Sequence, residues 1–186
     1  DSPQGREILF GSGEEDNALY CLDRSGSLRW RFQGKAAFDS TLALADLDGD
    51  GRREILALDH LGGVYALRAD GSLLWSTQIG MKIDAAPAIG DVDGDEQLEI
   101  LIATRNAYLL CLDQAGEEEW RWAYGVPDGQ PGSCAIGDPD RAGFANIYLG
   151  TKAREIVCLT LNAAILSRLT PWPLSRPPLT RTGLVE

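Results

Sequence analysis

Two acidic loops in the sequence have the residue types and spacing of a metal site. Their sequences are Asp46-Leu47-Asp48-Gly49-Asp50-Gly51-Arg52-Arg53-Glu54 and, 45 residues later, Asp91-Val92-Asp93-Gly94-Asp95-Glu96-Gln97-Leu98-Glu99. A tight turn can direct the carboxylates at positions 1, 3, 5 and 9, and the carbonyl at position 7, toward one point. Ca²⁺ takes about 6 to 8 oxygen ligands, and without a cation such close carboxylates repel one another. We therefore predict two calcium sites, formed by Asp46, Asp48, Asp50, the Arg52 carbonyl and Glu54, and by Asp91, Asp93, Asp95, the Gln97 carbonyl and Glu99.

The spacing excludes an EF-hand, which needs a glutamate at position 12 and flanking helices. Position 12 is Ala57 in the first loop and Ile102 in the second, and both lie in predicted strands. Two further copies of the loop are incomplete, because position 5 is Pro3 near the start of the chain and Ala142 in the later copy. We expect these two copies to bind no metal.

The acidic loops belong to a repeat of about 45 residues. Trp30, Trp75 and Trp120 follow this spacing, and each repeat contains short apolar or β-branched runs separated by turn residues. In the best copy the runs predict strands over residues 85–92, 98–104, 107–113 and 118–124. No segment of 10 to 12 residues shows a convincing helical period. Four short strands per repeat predict an all-β fold, a β-propeller of four-stranded antiparallel blades.

The repeat also predicts the organisation of the chain as one propeller domain, residues 1–186. The expected blades are residues 1–38, 39–83, 84–130 and 131–170, with 171–186 as a closing segment. The first blade lacks its innermost strand, and residues 179–186 fall where another such strand is due. Two arrangements remain open: a closed four-bladed ring, or half of a larger ring completed by a second copy or by a longer parent chain. Each tryptophan is expected on an outermost strand, packed against the next blade.

Composition excludes some classes of partner. The net charge of −11 argues against binding a nucleic-acid backbone, and no apolar run approaches the roughly 20 residues that span a bilayer. The first residues do not have the pattern of a signal peptide. The cysteines, Cys21, Cys111, Cys134 and Cys158, are expected to be reduced and buried, which disfavours a strongly oxidising compartment.

The sequence shows no catalytic constellation, and we therefore predict that the chain is not an enzyme. The single histidine, His60, has no Cys or His neighbour at metal-ligand spacing and is expected in a solvent-exposed turn. No serine lies in a Gly-x-Ser-x-Gly elbow. Gly11-Ser12-Gly13 lacks the strand–loop–helix setting of a phosphate-binding loop.

The loop pattern Asp-x-Asp-x-Asp-Gly-x-x-Glu-Ile, preceded by Ala-x-x-Asp, resembles the FG-GAP repeat of integrin α-subunit and bacterial surface propellers. Residues 67–75, which end at Trp75, resemble the Trp-docking motif of pyrroloquinoline-quinone-type propellers. These resemblances imply calcium in loops between strands and an extracellular, cell-surface or periplasmic location, in conflict with the four reduced cysteines. The quinone cofactor is not implied, because the chain has no adjacent Cys pair.

The functional prediction is a calcium-stabilised, non-catalytic module that binds a protein or carbohydrate ligand or acts as a scaffold. One alternative is the propeller domain of an enzyme, similar to a quinone-dependent dehydrogenase or a polysaccharide lyase. The other is a structural repeat array that assembles with copies of itself. Because propeller faces are built from loops, the fold alone does not identify the ligand.

Overall fold

The computed structural model describes residues 6–124, 131–137, 145–151 and 156–160. In these residues the chain is all-β, with 14 strands in four antiparallel sheets, and none of them belongs to a helix that could cross a membrane. The chain divides into two compact units, Asp1–Pro87 and Ala88–Glu186. Three predictions lie outside the described residues: Pro3 and Ala142 at position 5 of the two incomplete loops, and the closing segment 171–186.

The first unit contains two sheets. The first sheet has the order β1-β2-β3, and the second has the order β4-β5-β6-β7. Their strands are β1 Ile8–Gly11, β2 Ala18–Leu22, β3 Leu28–Gln33, β4 Ala43–Ala45, β5 Glu54–Leu58, β6 Gly63–Leu67 and β7 Leu73–Gln78. In the described residues the first sheet has no strand beside β1 in the place that β4 takes beside β5.

The second unit repeats the pattern. The third sheet has the order β8-β9-β10-β11, and the fourth sheet has the order β12-β13-β14 in the described residues. Their strands are β8 Ala88–Gly90, β9 Glu99–Ala103, β10 Tyr108–Leu112, β11 Glu118–Ala123, β12 Pro131–Gly137, β13 Asn146–Thr151 and β14 Ile156–Thr160. The sheets of four short antiparallel strands that the repeat predicts are therefore present.

The middle strands carry the core. All five residues of β5, β6 and β9 are buried, whereas the outer strands β7 and β11 contain exposed residues along their length. Burial on both faces explains why these strands, after the glutamate that begins β5 and β9, are continuously apolar rather than alternating. The acidic loops end where β5 and β9 begin, and both strands are buried from their first residue. The buried strands therefore fix the end of each loop.

The innermost strand is shorter than predicted. Residues 85–92 were expected as one strand, but β8 covers only Ala88–Gly90. Pro87 has no N–H to donate to a ladder, and the Val92 N–H donates to Glu99 Oε2 at 2.7 Å instead of to a neighbouring strand. The other three strands of this sheet begin and end within one residue of the prediction. The loop chemistry, rather than strand pairing, sets the end of the innermost strand.

Candidate metal centres

The first acidic loop connects β4 to β5 and brings three carboxylates together. One oxygen from each of Asp46, Asp48 and Asp50 lies within 4.8 Å of the others. Backbone hydrogen bonds shape the turn: the Gly51 N–H donates to Asp46 Oδ2 at 2.9 Å, and the Arg52 N–H donates to Asp50 Oδ1 at 2.7 Å. Three of the predicted side-chain ligands therefore converge, as oxygen ligands of a hard cation must.

Glu54, the fourth predicted carboxylate of this loop, lies at its base. It is 2% exposed, and its Oε2 accepts a hydrogen bond of 2.8 Å from the Leu47 N–H, so it fixes the loop but is not one of the three grouped side chains. Asp46 Oδ1 is buried and has no hydrogen-bond partner in the described structure. An unpaired buried carboxylate oxygen is costly, and a cation between the three aspartates would satisfy it.

The second loop, between β8 and β9, groups a different set of ligands. One oxygen from each of Asp91, Asp93 and Glu99 lies within 4.8 Å of the others. Asp95, which was predicted as a ligand, is outside this group. Its Oδ1 accepts the Gln97 N–H at 2.8 Å and its Oδ2 accepts Gln97 Nε2 at 2.8 Å. Three of the four predicted side-chain ligands, Asp91, Asp93 and Glu99, are therefore grouped, and the role of Asp95 remains a prediction. The roles of the Arg52 and Gln97 carbonyls remain predictions.

The two loops share one backbone turn despite a glycine missing from the second. Gly51 has φ +84°, and Glu96 at the equivalent position has φ 68°, in the left-handed region that favours glycine. The Glu96 N–H donates to Asp91 Oδ2 at 3.1 Å, as the Gly51 N–H does to Asp46 Oδ2. The hydrogen bonds to the first aspartate therefore keep Glu96 in an unfavourable conformation.

The second loop is electrostatically strained without a cation. Burial raises the pKa of Glu99 to about 7, and the charges of Asp93, Glu119 and Asp95 act in the same direction, against the hydrogen bond from Val92. Burial likewise raises the pKa of Asp93, with the charges of Asp95 and Asp91 adding to the effect. A raised carboxyl pKa means that the ionised form is disfavoured. A bound cation would reverse this effect.

The two sheets with incomplete loops neutralise the equivalent position within the protein. Glu7, which precedes β1 as Glu54 begins β5, forms an ion pair with Arg29. In the fourth sheet the position is Asn146, whose Oδ1 accepts a hydrogen bond of 2.5 Å from Thr160 Oγ1. In the described residues neither Glu54 nor Glu99 forms an ion pair with a basic side chain. The complete loops therefore keep a buried carboxylate that the incomplete loops remove or pair.

Two smaller predictions need correction. His60 is not a freely exposed turn residue: its side chain is 24% exposed and its Nδ1 lies 3.1 Å from Asp84 Oδ1. The His60 N–H donates to the Ala37 carbonyl at 2.8 Å, because this turn packs on the chain between β3 and β4. All four cysteines are unpaired thiols as predicted, but Cys158 is only partly buried.

The sequence did not single out Asp59, which organises the turn between β5 and β6. Asp59 is buried and accepts hydrogen bonds from the Gly63 N–H at 2.8 Å and from the Tyr65 hydroxyl at 2.8 Å. Burial raises the pKa of Tyr65 to about 12, and the hydrogen bond to Asp59 adds to this. A polar residue recurs here in the other sheets, as Ser12 and Thr104, which bond to Ala18 and Tyr108 respectively. That recurrence was the available sequence signal.

Trp30 joins the two sheets of the first unit. It lies on the outermost strand β3, and its Nε1 donates a hydrogen bond of 3.0 Å to the Ala69 carbonyl in the turn before β7. A Cβ added to Gly71 of that turn would lie 2.6 Å from Trp30 Cδ2. The indole ring therefore packs directly on the backbone of the neighbouring sheet.

The repeated antiparallel sheets define the class of protein: the chain is a β-propeller repeat protein. Within it, residues 46–102 match the family model of the FG-GAP-like repeat. This stretch contains both acidic loops. No curated protein matches the chain in sequence.

Solved structures with the same fold share little sequence with this chain. The C-terminal domain of PilY1 from Pseudomonas aeruginosa matches with a TM-score of 0.65 at 17% identity, over 86% of this chain and 39% of that one. BamB from Moraxella catarrhalis matches with a TM-score of 0.58 at 16% identity, over 85% and 44%. The V. cholerae biofilm matrix protein Bap1 matches with a TM-score of 0.60 at 22% identity, over 82% and 24%. This chain thus spans less than half the length of each of these structures, and the likeness concerns the fold.

Proposed function

We propose that this chain is a calcium-stabilised, non-catalytic propeller module that binds a protein or carbohydrate ligand or acts as a scaffold. The observation that carries the calcium proposal is the contrast among the four sheets. Glu54 and Glu99 are buried beside complete acidic loops with no basic partner in the described residues, whereas Glu7 is paired with Arg29 and the fourth sheet has Asn146. Burying a charge without a partner is strongly unfavourable. A cation in the loop 91–99 supplies that partner to Glu99, and a cation between Asp46, Asp48 and Asp50 brings positive charge to the loop that Glu54 anchors.

Calcium fits these donors better than other common metals. The grouped side chains, Asp46, Asp48 and Asp50 in one loop and Asp91, Asp93 and Glu99 in the other, offer only carboxylate oxygens. Hard oxygen donors suit Ca²⁺ and Mg²⁺, whereas zinc and copper sites use nitrogen and sulfur ligands. Ca²⁺ accepts varied arrangements of several carboxylates, whereas Mg²⁺ demands near-ideal octahedral geometry and keeps several waters, so we favour Ca²⁺. When bound, the ion would hold the innermost strand of the sheet to the next strand.

A location outside the cytoplasm is part of the same proposal. A matched structure is described as a biofilm matrix protein. Calcium-binding modules outside the cell typically have weak sites, with dissociation constants of about 0.1 to 1 mM. Burial raises the pKa of the Cys111 thiol and raises that of Cys134 to about 11. Protonated, buried thiols react slowly, so the unpaired cysteines are compatible with an oxidising compartment.

The test is a calcium titration followed by the melting temperature of the whole chain. An ion that binds only the folded state must stabilise it, by about 2.7 kcal/mol at 100 times the dissociation constant. We expect the melting temperature to rise with calcium and to fall on chelation, and we expect Asp48→Ala to lose part of this response. Asp39→Ala, which removes an exposed aspartate outside both loops, is the matched control. A chelated wild type that melts at the same temperature as the calcium-loaded protein and as Asp48→Ala would exclude the proposal.

The binding role is tested separately with immobilised glycans and candidate extracellular proteins, each measured with calcium and with a chelator. We expect one of these two ligand classes to bind. We expect the chelator to weaken that binding only to the extent that it lowers the fraction of folded protein. Turnover of a polysaccharide by the purified chain would instead support the enzyme alternative.

A further inference from the structure

The outermost strand of three sheets contains a bulge beside its tryptophan. In the first sheet Cys21 pairs with Trp30 and Leu22 pairs with Leu28, so the register shifts at Arg29, the extra residue between these two pairs. The same register shift occurs in the second and third sheets, where the extra residue of the bulge is Leu74 and Glu119 respectively. A bulge redirects the extra side chain relative to its neighbours. One structural position thus carries a cation, an apolar side chain and an anion in three successive sheets.

In the first and third sheets the bulge side chain reaches toward the strand that follows the acidic loop. In the first sheet Arg29 reaches Glu7, the residue equivalent to Glu54 and Glu99, and forms an ion pair with it. In the third sheet Glu119 Oε2 accepts a hydrogen bond of 3.5 Å from the Cys111 thiol, and Cys111 pairs with Leu101 close to Glu99 on β9. Glu119 and Glu99 occupy the positions in the third sheet that Arg29 and Glu7 occupy in the first, where the two side chains are in contact. The ion pair of Arg29 shows that a cation is accommodated at this place in the repeat.

We propose that this bulge residue sets the charge at the cation position of its own sheet. Glu119 supplies an additional carboxylate that strengthens cation binding by the loop 91–99, Leu74 leaves the loop 46–54 without one, and Arg29 takes the place of a cation in the first sheet. The inference rests on the proposed calcium sites and adds to them a residue outside the loop that determines affinity.

The composition of the loops acts in the same direction. The first loop contains Arg52 and Arg53, whereas the second contains Glu96 and no basic residue. Calcium affinity rises with the number of ligand charges, and charges near a partly buried site act more strongly than they do in water. The loop 91–99 is therefore the tighter of the two sites and the more sensitive to ionic strength.

The test exchanges the bulge residues in the whole chain and measures calcium binding by calorimetry. Each site is isolated by removing the other one with Asp48→Ala or Asp93→Ala. We expect Glu119→Leu to weaken the loop 91–99 by about tenfold, and Leu74→Glu to strengthen the loop 46–54 by about tenfold, since one ligand charge tunes affinity on this scale. Leu74→Arg, which copies the first sheet, weakens the loop 46–54. Glu14→Leu removes an exposed glutamate in a distant turn and leaves both affinities unchanged.

The outcomes separate this inference from the calcium proposal. A wild-type chain that binds no calcium overturns both. A wild type that binds calcium at both loops, with affinities that Glu119→Leu and Leu74→Glu leave unchanged, overturns the role of the bulge residue alone. Melting of each variant in the presence of a chelator shows whether it is folded. If Glu119→Leu does not fold, the two substitutions of Leu74, opposite in charge, still decide the question by moving affinity in opposite directions or not at all.

Discussion

At the scale of single residues, Glu96 is the least favourable choice in the two acidic loops. Its backbone has φ 68°, and a non-glycine residue in this left-handed region costs about 1–2 kcal/mol. Gly51, with φ +84°, fills the same position in the first loop. The side chain of Glu96 is exposed and offers its loop a negative charge without joining the grouped ligands.

Glu96→Gly is expected to stabilise the chelated protein by up to about 1 kcal/mol, because the relief of backbone strain exceeds the greater entropy of glycine in the unfolded chain. Urea unfolding in the presence of a chelator measures this change. Glu96→Gln is the control, since it removes the charge and keeps the backbone strain. Equal stability of the two variants would show that charge, and not the left-handed backbone, limits this loop.

At the scale of the elements, turns connect sheets as well as strands. The turn before β7 receives Trp30 from the first sheet through the hydrogen bond to Ala69, and it needs glycine for two reasons. Gly71 has φ +83°, and an added Cβ would meet Trp30 Cδ2 at 2.6 Å. Gly26, in the equivalent turn of the first sheet, has φ +84° and nothing within 4 Å of an added Cβ. Replacing each glycine by alanine therefore distinguishes the cost of backbone strain, which both positions share, from the cost of displacing Trp30, which only Gly71 has.

Gly26→Ala should therefore destabilise the protein by about 1 kcal/mol through its backbone alone. Gly71→Ala carries the same strain and also displaces the indole ring, so we expect an additional loss of about 1–3 kcal/mol. Equilibrium unfolding followed by tryptophan fluorescence measures both variants. Similar losses for the two substitutions would argue that Trp30 does not contribute to holding the first two sheets together.

At the scale of the whole molecule, each compact unit contains one complete acidic loop: residues 46–54 lie in Asp1–Pro87, and residues 91–99 lie in Ala88–Glu186. The two loops share no ligand residue. Independent sites without shared partners contribute additively to stability. We therefore expect the two ions to bind independently, each stabilising its own unit, rather than cooperatively.

The double variant Asp48→Ala/Asp93→Ala should lose a calcium-dependent stabilisation equal to the sum of the two single losses, within about 0.5 kcal/mol. Calorimetry should count two ions for the wild type, one for each single variant and none for the double variant. A deviation from additivity well above this margin would indicate that binding in one unit alters the other.

Local sequence pattern was sufficient for the repeat, the all-β class and the position of the loops. Strand period, turn residues and alternating carboxylates all act over a few residues, so they are visible without tertiary contacts. The three outer strands of the third sheet were predicted to within one residue for the same reason. The innermost strand was predicted too long, since its end depends on the bond from Val92 to Glu99, seven residues away.

The tertiary structure decided which charged groups meet. It grouped the predicted ligand Glu99 with Asp91 and Asp93, and it paired His60 with Asp84. It also brought Arg29 to Glu7 and placed Glu119 in the equivalent bulge. These contacts depend on strand register and on the direction of side chains from separate strands, where a shift of one residue reverses the face. The sequence by itself determined that acidic loops recur in a repeated β-fold, and only the packing of the strands determined how the charge in each loop is balanced.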